Sequence, residues 1–478
     1  MTKKSHAICL SVIVVLAGWL RWSDLGARPM HADEANQAVK LGVLLESGEY
    51  RFDPADHHGP TLYYLGMVVA RLRGETTLAG LSEVTVRVTP LLAGVAAVVL
   101  TILLAALLGR SAALLAGLFV AVAPASVYYS RYFIQESLVV AFALGTFVAA
   151  QRWAVTWHWA WAAVAGGAAG LMLATKSSAP VMLLGGAGAC VLAGWRPAGP
   201  AGRFVFIFGA VALVVAGLFY SSFGNNWRGL RDALTTYGNM AGRVVDGSGH
   251  EKSWNYYAGI HLGHRAGGVL WDQSVFVAAA AVGACLAWRG RSGSGQTTLR
   301  WAALLFALLF VAMSAVPYKT PWQVVNLVPW LAILAAGACV RIKWPALAAV
   351  AAMGVTVLLA QQTRQAVFRY PADARNPYAY VHTSPDLLRV TSLVAAVPAG
   401  GVVRVIGREY WPLPWYLRRH EATGYWPTTP ADCDGALVIC TREEAATVRA
   451  RLRGSYQEGF LGLRPGVLLV TFISTAAD

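Results

Sequence analysis

Long apolar runs separated by short polar stretches fill the first three-quarters of the chain. A helix needs roughly 20 residues to cross a bilayer, and about eleven runs have close to that length. The run Leu62–Leu72 is too short to cross, so we expect an interfacial or re-entrant helix there. The predicted spanning helices are approximately 6–22, 84–108, 112–129, 132–150, 154–174, 178–195, 204–222, 269–288, 301–317, 321–340 and 344–361.

After about residue 362 the pattern changes to short strands and a helix. Val402–Ile406, Ala436–Cys440 and Val467–Phe472 predict buried strands, and Glu443–Leu452 predicts a helix capped by Thr441. This alternation is typical of a small α/β domain outside the membrane. The predicted fold class is therefore mainly α. A polytopic membrane domain covers 1–362, with extracytoplasmic loops at 23–83 and 223–268, and an extracytoplasmic α/β domain covers 363–478.

Composition and charge agree with a membrane protein. Hydrophobic residues make up 56% of the chain, charged residues only 13%, and the net charge is +15. The basic residues lie mostly in alternate short loops, which is an orientation signal and does not indicate nucleic acid as a partner. The side that carries these residues is predicted to be cytoplasmic, together with the N-terminus, and both long loops and the tail then lie outside. Its basic residues are Lys3, Lys4, Arg110, Arg152, Arg196, Arg203, Arg289, Arg291, Arg300, Arg341 and Lys343.

The first outer loop begins with two adjacent carboxylates, Asp33 and Glu34. One of them, as a general base, would deprotonate an acceptor hydroxyl, while the other binds the acceptor or a metal. A structural alternative is a solvated loop in which Asp33 caps a helix over Glu34–Leu45. Both residues are candidate catalytic groups on this pattern.

The same loop continues with Asp53, Asp56, His57 and His58. Two carboxylates and two imidazoles at this spacing are suited to a divalent cation, or His58 positions a substrate. The alternative is a turn built by the neighbouring prolines and glycine. Tyr63 and Tyr64, which end the loop, are further candidate substrate contacts.

Two outer corners between helices carry cations beside aromatic rings. Arg131 lies in the stretch YSRYFIQES, and Lys319 lies in PYKTPW. A planar guanidinium binds phosphate with two hydrogen bonds, and a lysine at a broken helix end neutralises a phosphate leaving group. Both are candidate donor-phosphate ligands, while Glu136 and Trp322 are candidate substrate contacts. The alternative is that the two cations anchor helices at the membrane interface.

An outer cavity with a carboxylate pair, cations and aromatic rings has the groups needed for transfer from a polyprenyl-phosphate sugar. The base deprotonates the acceptor, and the cations stabilise the negative charge on the departing phosphate.

These residues resemble a known superfamily. An Asp-Glu pair just after the first helix resembles the GT-C membrane glycosyltransferases, which include protein O-mannosyltransferases and the aminoarabinose transferases of lipid A. The strings HADEANQAVKLGVLLESGEYRFDPADHHGPTLYYL, PYKTPW and REYWPLPWYLRR resemble, more closely, a prokaryotic family of flippase-activity-associated proteins linked to archaeal N-glycosylation. The resemblance implies an inverting transfer with Asp33 as the catalytic carboxylate. It implies a divalent cation only in some branches, so no cofactor or metal ligand is assigned and a divalent cation stays open.

The predicted function is a multi-pass glycosyltransferase of the cell membrane. It would move a sugar from a polyprenyl-phosphate donor to a lipid, glycan or protein acceptor outside the cytoplasm. Membrane lipids are the other expected partner. The alternative is a factor without bond chemistry that assists the flipping of lipid-linked sugars.

Overall fold

A computed structural model describes residues 2–55, 58–195, 199–246, 249–289 and 293–475. Each of the predicted apolar segments contains a helix. Among the described residues, seven helices are long and apolar enough to cross a membrane, and the number that do cross it stays a prediction. The helices up to residue 246 are α1 Lys3–Trp22, α2 Ala32–Ser47, α3 Thr61–Leu72, α4 Glu83–Leu104, α5 Arg110–Val122, α6 Pro124–Tyr129, α7 Glu136–Thr156, α8 Trp159–Leu173, α9 Ala179–Leu192, α10 Ala201–Tyr220 and α11 Arg228–Asp246.

Two predicted helices are interrupted near the ends that the sequence predicts to face outward. The segment 112–129 divides into α5 and α6 at Ala123, because Pro124 has no N–H to continue the ladder but suits the first turn of a new helix. The segment 321–340 begins as a 3-10 helix, Pro321–Leu327, before its α-helical part. These interruptions place irregular main chain beside the two corners that carry Arg131 and Lys319.

The outer loop 223–268 is more ordered than the sequence suggested. It contains α11, a short helix α12 (Tyr256–His261) and the strand β1 (His264–Ala266). β1 pairs with β2 (Val269–Trp271), which occupies the start of the predicted spanning segment 269–288. The chain then returns through α13 (Ser274–Arg289), α14 (Ser294–Ala315), α15 (Val328–Cys339) and α16 (Pro345–Thr363).

The tail forms one five-stranded sheet in the order β4-β3-β5-β7-β6. β3 is parallel to β4 and β5, whereas β7 is antiparallel to β5 and β6. The predicted strands and helix are present, but β4 and β6 were missed, and Thr441 belongs to β5 and does not cap α19. The elements are α17 Val390–Ala395, β3 Val403–Ile406, α18 Leu413–Tyr416, β4 Thr423–Trp426, β5 Leu437–Thr441, α19 Ala445–Arg451, β6 Tyr456–Arg464 and β7 Val467–Ser474.

The tail packs on the first outer loop through α18. Trp415 is fully buried in the apolar core of that loop, and its indole N–H donates to Glu83 at 2.7 Å. The N–H of Met30 donates to the hydroxyl of Tyr416 at 2.8 Å. The tail therefore fixes the main chain just before the Asp33-Glu34 pair.

Candidate functional site

Asp33 lies in the first turn of α2, where the main chain holds its carboxylate near the surface. His31 is the N-cap residue, and its Nδ1 accepts from the N–H of Asp33 at 3.1 Å. The side chain of Asp33 is about half exposed (53%), with one oxygen 3.9 Å from Nδ1 of His31. The sequence had assigned the possible capping role to Asp33, but His31 performs it. Asp33 therefore keeps a carboxylate that is open to a ligand.

Glu34, the next residue, has the opposite environment. It is fully buried, and Nε and Nη2 of Arg87 donate to its two oxygens at 2.7 and 2.9 Å. The N–H groups of Phe133 and His31 donate to it at 3.0 and 3.3 Å. Burial on its own would raise the pKa of Glu34, but Arg87 and Arg28 reverse the effect and lower it. Glu34 thus stays ionised as a connection between α2, α4 and the corner after α6.

Arg131 does not present a free fork to a phosphate, which corrects the geometry that the sequence suggested. Its guanidinium donates to the main-chain oxygens of Leu20, Arg21, Ser23 and Asp24 at the end of α1. Those carbonyls have no partner within the helix, and the negative end of the helix dipole favours a cation there. Arg131 is therefore a cap for α1, buried between helix ends.

Arg21 plays the same part at a neighbouring helix end. It is fully buried and donates to the carbonyls of Val120 and Ala121, at the end of α5, and to the hydroxyl of Ser126. We refer to Arg21, Arg28, Arg87 and Arg131 together as the arginine group. These four side chains are all buried. Glu34 is the carboxylate within their contacts, so the group carries excess positive charge.

Arg28 is the least satisfied member of the arginine group. Its Nη2 donates to the carbonyl of Arg131 at 2.8 Å and lies 3.9 Å from Glu34. Its Nε is buried without a hydrogen-bond partner among the described residues. The guanidinium stacks 4.0 Å from the centre of the Tyr132 ring. Arg28, which the sequence analysis overlooked, therefore has both charge and donor capacity left for an anion.

Aromatic and imidazole rings pack together around His31, next to the arginine group. The ring of His31 lies 5.5 Å from Tyr132, 5.6 Å from His382 and 6.1 Å from Trp322. Trp322 lies 6.1 Å from Tyr380. We call His31, Tyr132, Trp322, Tyr380 and His382 the imidazole cluster. The structure thus brings the predicted residue Trp322 next to the N-cap of the helix that carries Asp33.

Lys319 borders the imidazole cluster through the PYKTPW corner. Its ammonium donates to the carbonyls of Lys252 and Val316, and it has no carboxylate partner among the residues described. His250, whose carbonyl accepts from the N–H of Lys319, places its ring against Tyr380 and hydrogen-bonds the Tyr380 hydroxyl at 2.9 Å. The corner therefore supplies a buried positive charge that no carboxylate of the described ranges neutralises.

The other predicted contacts occupy structural positions. Glu136 is buried and forms an ion pair with Lys176. The hydroxyl of Tyr63 donates to Gln37, and that of Tyr64 hydrogen-bonds Ser222, in the core of the first loop. Their assignment as substrate contacts has no support from these partners. His58 is partly buried just before α3, whereas Asp56 and His57 lie outside the described residues.

No group of three or more His, Cys, Asp or Glu side chains within the described ranges is arranged to hold a metal ion. The stretch with His57 and His58 falls partly outside those ranges. Participation of a divalent cation therefore stays open.

Comparison with known proteins supports the membrane glycosyltransferase fold. A family model described as dolichyl-phosphate-mannose-protein mannosyltransferase matches residues 58–220, about a third of the chain. A search of curated protein sequences finds no significant match.

Three solved structures have related folds. ArnT from Cupriavidus metallidurans, bound to undecaprenyl phosphate, is 15% identical, with full coverage of both chains and a TM-score of 0.66. The oligosaccharyltransferase AglB from Archaeoglobus fulgidus, in complex with an inhibitory peptide and a dolichol-phosphate, is 13% identical, with 96% of this chain and 73% of that chain covered and a TM-score of 0.57. The arabinofuranosyltransferase AftD from mycobacteria is 16% identical over all of this chain and 40% of that chain, with a TM-score of 0.54. At these levels of identity the likeness shows the fold alone, and the chain shares it with these three proteins.

Proposed function

We propose that the chain transfers a sugar from a polyprenyl-phosphate donor to an extracytoplasmic lipid, glycan or protein acceptor. The observation that carries the proposal is the half-exposed carboxylate of Asp33, fixed by a helix cap beside buried positive charge. The partner carboxylate, Glu34, is enclosed by four donor groups. Of the two catalytic candidates, Asp33 is therefore the one that is free to exchange a proton with a substrate.

The proposed reaction is a single displacement with inversion. Asp33 removes the proton from an acceptor hydroxyl as its oxygen attacks the anomeric carbon of the donor sugar. The bond from that carbon to the phosphate oxygen breaks, and the polyprenyl phosphate leaves with the bonding electrons. Positive charge near the leaving oxygen lowers the barrier most when it is held in place before the reaction.

Arg28 and Lys319 are the proposed phosphate ligands. Arg28 has a buried donor without a partner in the part of the chain that the structure describes, and Lys319 has no counter-ion there. Arg131, which the sequence suggested for this role, is not proposed as a ligand, because its guanidinium donates to four carbonyls at the end of α1. The excess charge of the arginine group adds a long-range attraction for an anion.

The relatives support the donor class by analogy. ArnT was solved with undecaprenyl phosphate, and AglB with a dolichol-phosphate. These are both polyprenyl phosphates, and the family model that matches residues 58–220 is named for a dolichyl-phosphate-mannose donor.

The test uses the purified full chain with radiolabelled polyprenyl-phosphate sugars and a mixture of lipid, glycan and peptide acceptors. A transferase releases the lipid phosphate and moves the label to an acceptor, and Asp33→Asn stops both. A factor that only assists flipping moves the intact labelled lipid between leaflets of a vesicle and releases no lipid phosphate. That second result would overturn the proposal.

A further inference from the structure

The segment Tyr380–Thr383, which links the membrane helices to the tail, lies beside the start of α2. The carbonyl of Tyr380 accepts from Nε2 of His31 at 3.1 Å, and the hydroxyl of Thr383 donates to the carbonyl of Met30 at 2.7 Å. Between these contacts, His382 places its ring 5.6 Å from His31 and 5.7 Å from Tyr132. The tail connection is thus part of the wall of the proposed active centre.

The two imidazoles differ in how their nitrogens are used. Nδ1 of His31 accepts from the N–H of Asp33, and Nε2 faces a carbonyl, which accepts only. Both nitrogens of His31 are therefore occupied, with Nε2 as the donor and Nδ1 as the acceptor. His382 is 1% exposed, and neither of its ring nitrogens has a hydrogen-bond partner among the described residues. An unsatisfied buried polar group is costly, so both nitrogens of His382 call for a polar partner.

The backbone before His382 is also unusual. Val381 has φ +48°, in the left-handed region that a β-branched residue rarely adopts. Such a conformation persists only where the surroundings impose it, and it is found preferentially at functional sites. Here the Tyr380 and Thr383 hydrogen bonds on either side impose it, and together they direct the ring of His382 inward.

Charge decides which chemical group suits His382. Burial, reinforced by Arg28, lowers the pKa of His382 well below its usual range, so the ring is neutral. A neutral imidazole offers one donor and one acceptor. The phosphodiester of a lipid-linked sugar only accepts, so it could pair only with the donor nitrogen. A sugar hydroxyl both donates and accepts, so it can pair with either nitrogen of the ring. Sugars are the hydroxyl-rich part of a glycosyl-phosphate donor.

We propose that His382 binds a hydroxyl group of the sugar carried by the polyprenyl-phosphate donor. The inference rests on the proposed function for the identity of the ligand. It divides the site into a cationic part for the phosphate, with Arg28 and Lys319, and a neutral imidazole part for the sugar. The hydroxyl of Thr320, the residue after Lys319, is also buried without a partner among the described residues.

The test compares binding of bare undecaprenyl phosphate with undecaprenyl phosphate carrying mannose, glucose or arabinose, using the full chain in nanodiscs. The wild type is expected to bind at least one glycosylated lipid more tightly than the bare lipid. His382→Phe keeps the ring shape but removes both nitrogens, so it should reduce that preference about tenfold, the loss expected for one or two hydrogen bonds. Binding of the bare lipid should stay within twofold. His382→Gln, which keeps a donor and an acceptor, should restore part of the preference.

Stability gives a second, independent readout. Because no described protein group pairs with the His382 nitrogens, His382→Phe should unfold at the same temperature as the wild type or higher. His264→Phe, an exposed histidine in β1, is the matched control and should change neither property.

Three results would overturn the proposal. They are an unchanged sugar preference in His382→Phe, an equal loss of affinity for bare and glycosylated lipid, and a wild type without preference for any of the three sugars. An equal loss indicates a structural role, and an unchanged preference indicates that a buried water satisfies the ring. A chain that prefers a glycosylated lipid but never transfers its sugar would contradict the proposed enzyme activity and leave the role of His382 intact.

Discussion

The arginine group and the imidazole cluster meet where Arg28 stacks on Tyr132, but they use their polar atoms differently. In the arginine group, the terminal nitrogens of Arg21, Arg87 and Arg131 donate to main-chain carbonyls or to Glu34. Arg28 is the exception, since it makes one such hydrogen bond and its Nε has no partner among the described residues. In the imidazole cluster and its border, His382 and Thr320 have buried polar atoms without partners among the described residues. A satisfied polar group holds a fold together, whereas an unsatisfied one calls for a ligand. The difference separates structural residues from candidates for substrate binding.

The largest effect is expected from Arg87→Met. Removing this arginine leaves the carboxylate of Glu34 buried without its main partner, which should lower the free energy of unfolding by about 3–5 kcal/mol. Thermal unfolding in detergent measures it, with the exposed Arg71→Met as control. Adding Glu34→Leu should recover much of the loss, because an apolar pair replaces a buried ion pair well. If Arg87→Met is as stable as the wild type, the Arg87–Glu34 pair does not stabilise the fold, and Arg87 is not a structural residue.

Arg131→Lys sharpens the distinction between a helix cap and a phosphate ligand. Lysine cannot reach all the carbonyls at the end of α1, so we expect a loss of stability of about 1–2 kcal/mol. Affinity for bare polyprenyl phosphate should stay within twofold of the wild type, measured by equilibrium binding. Arg442→Lys, exposed in the tail, is the control. Weakened lipid binding at normal stability would restore the phosphate role that the sequence suggested.

Lys319→Met tests the cation that borders the imidazole cluster, as Arg131→Lys tests one in the arginine group. Because this ammonium has no carboxylate partner among the described residues, its loss should weaken binding of bare polyprenyl phosphate about tenfold, or about 1.4 kcal/mol. Lys343→Met removes an exposed lysine on the side predicted to be cytoplasmic and should bind normally. If both variants bind alike, Lys319 is an anchor and not a ligand.

The smallest effect concerns acid. The pKa of Glu34 is lower in the folded chain than in the unfolded chain, so its contribution is complete above the unfolded value of about 4.3 and is lost as pH falls through the folded value. Stability should therefore be flat with respect to Glu34 above about pH 5 and decline below about pH 4. Glu34→Gln should remove this part of the decline in a series of unfolding curves. An identical acid profile in the variant would show that Glu34 contributes nothing to it.

The sequence predicted the parts of the fold that depend on local pattern. Apolar runs located the helices, and the fully buried strand β5 was predicted from its continuous hydrophobic run. The strands β4 and β6 were missed because they lie at the two edges of the sheet, where burial is mixed and the pattern is weak.

The site was predictable only where chemistry follows from neighbouring residues. Asp33 was identified by its adjacent carboxylate and by resemblance. The roles of Arg87 and Arg131 depend on partners that lie 53 and about 110 positions away, and no spacing in the sequence indicates them. His382 follows an ordinary polar stretch, and only its burial without a partner distinguishes it.

The most direct test of the account is a side-by-side measurement of Asp33→Asn and Glu34→Gln. Each variant is assayed for release of lipid phosphate from a polyprenyl-phosphate sugar and for its unfolding temperature. We predict that Asp33→Asn loses transfer on the order of a hundredfold or more at near-normal stability, because a half-exposed carboxylate contributes little packing. Glu34→Gln should instead unfold at a clearly lower temperature, since its arginine contacts weaken. Full transfer by Asp33→Asn, with transfer lost in a stable Glu34→Gln, would contradict the account and make Glu34 the base.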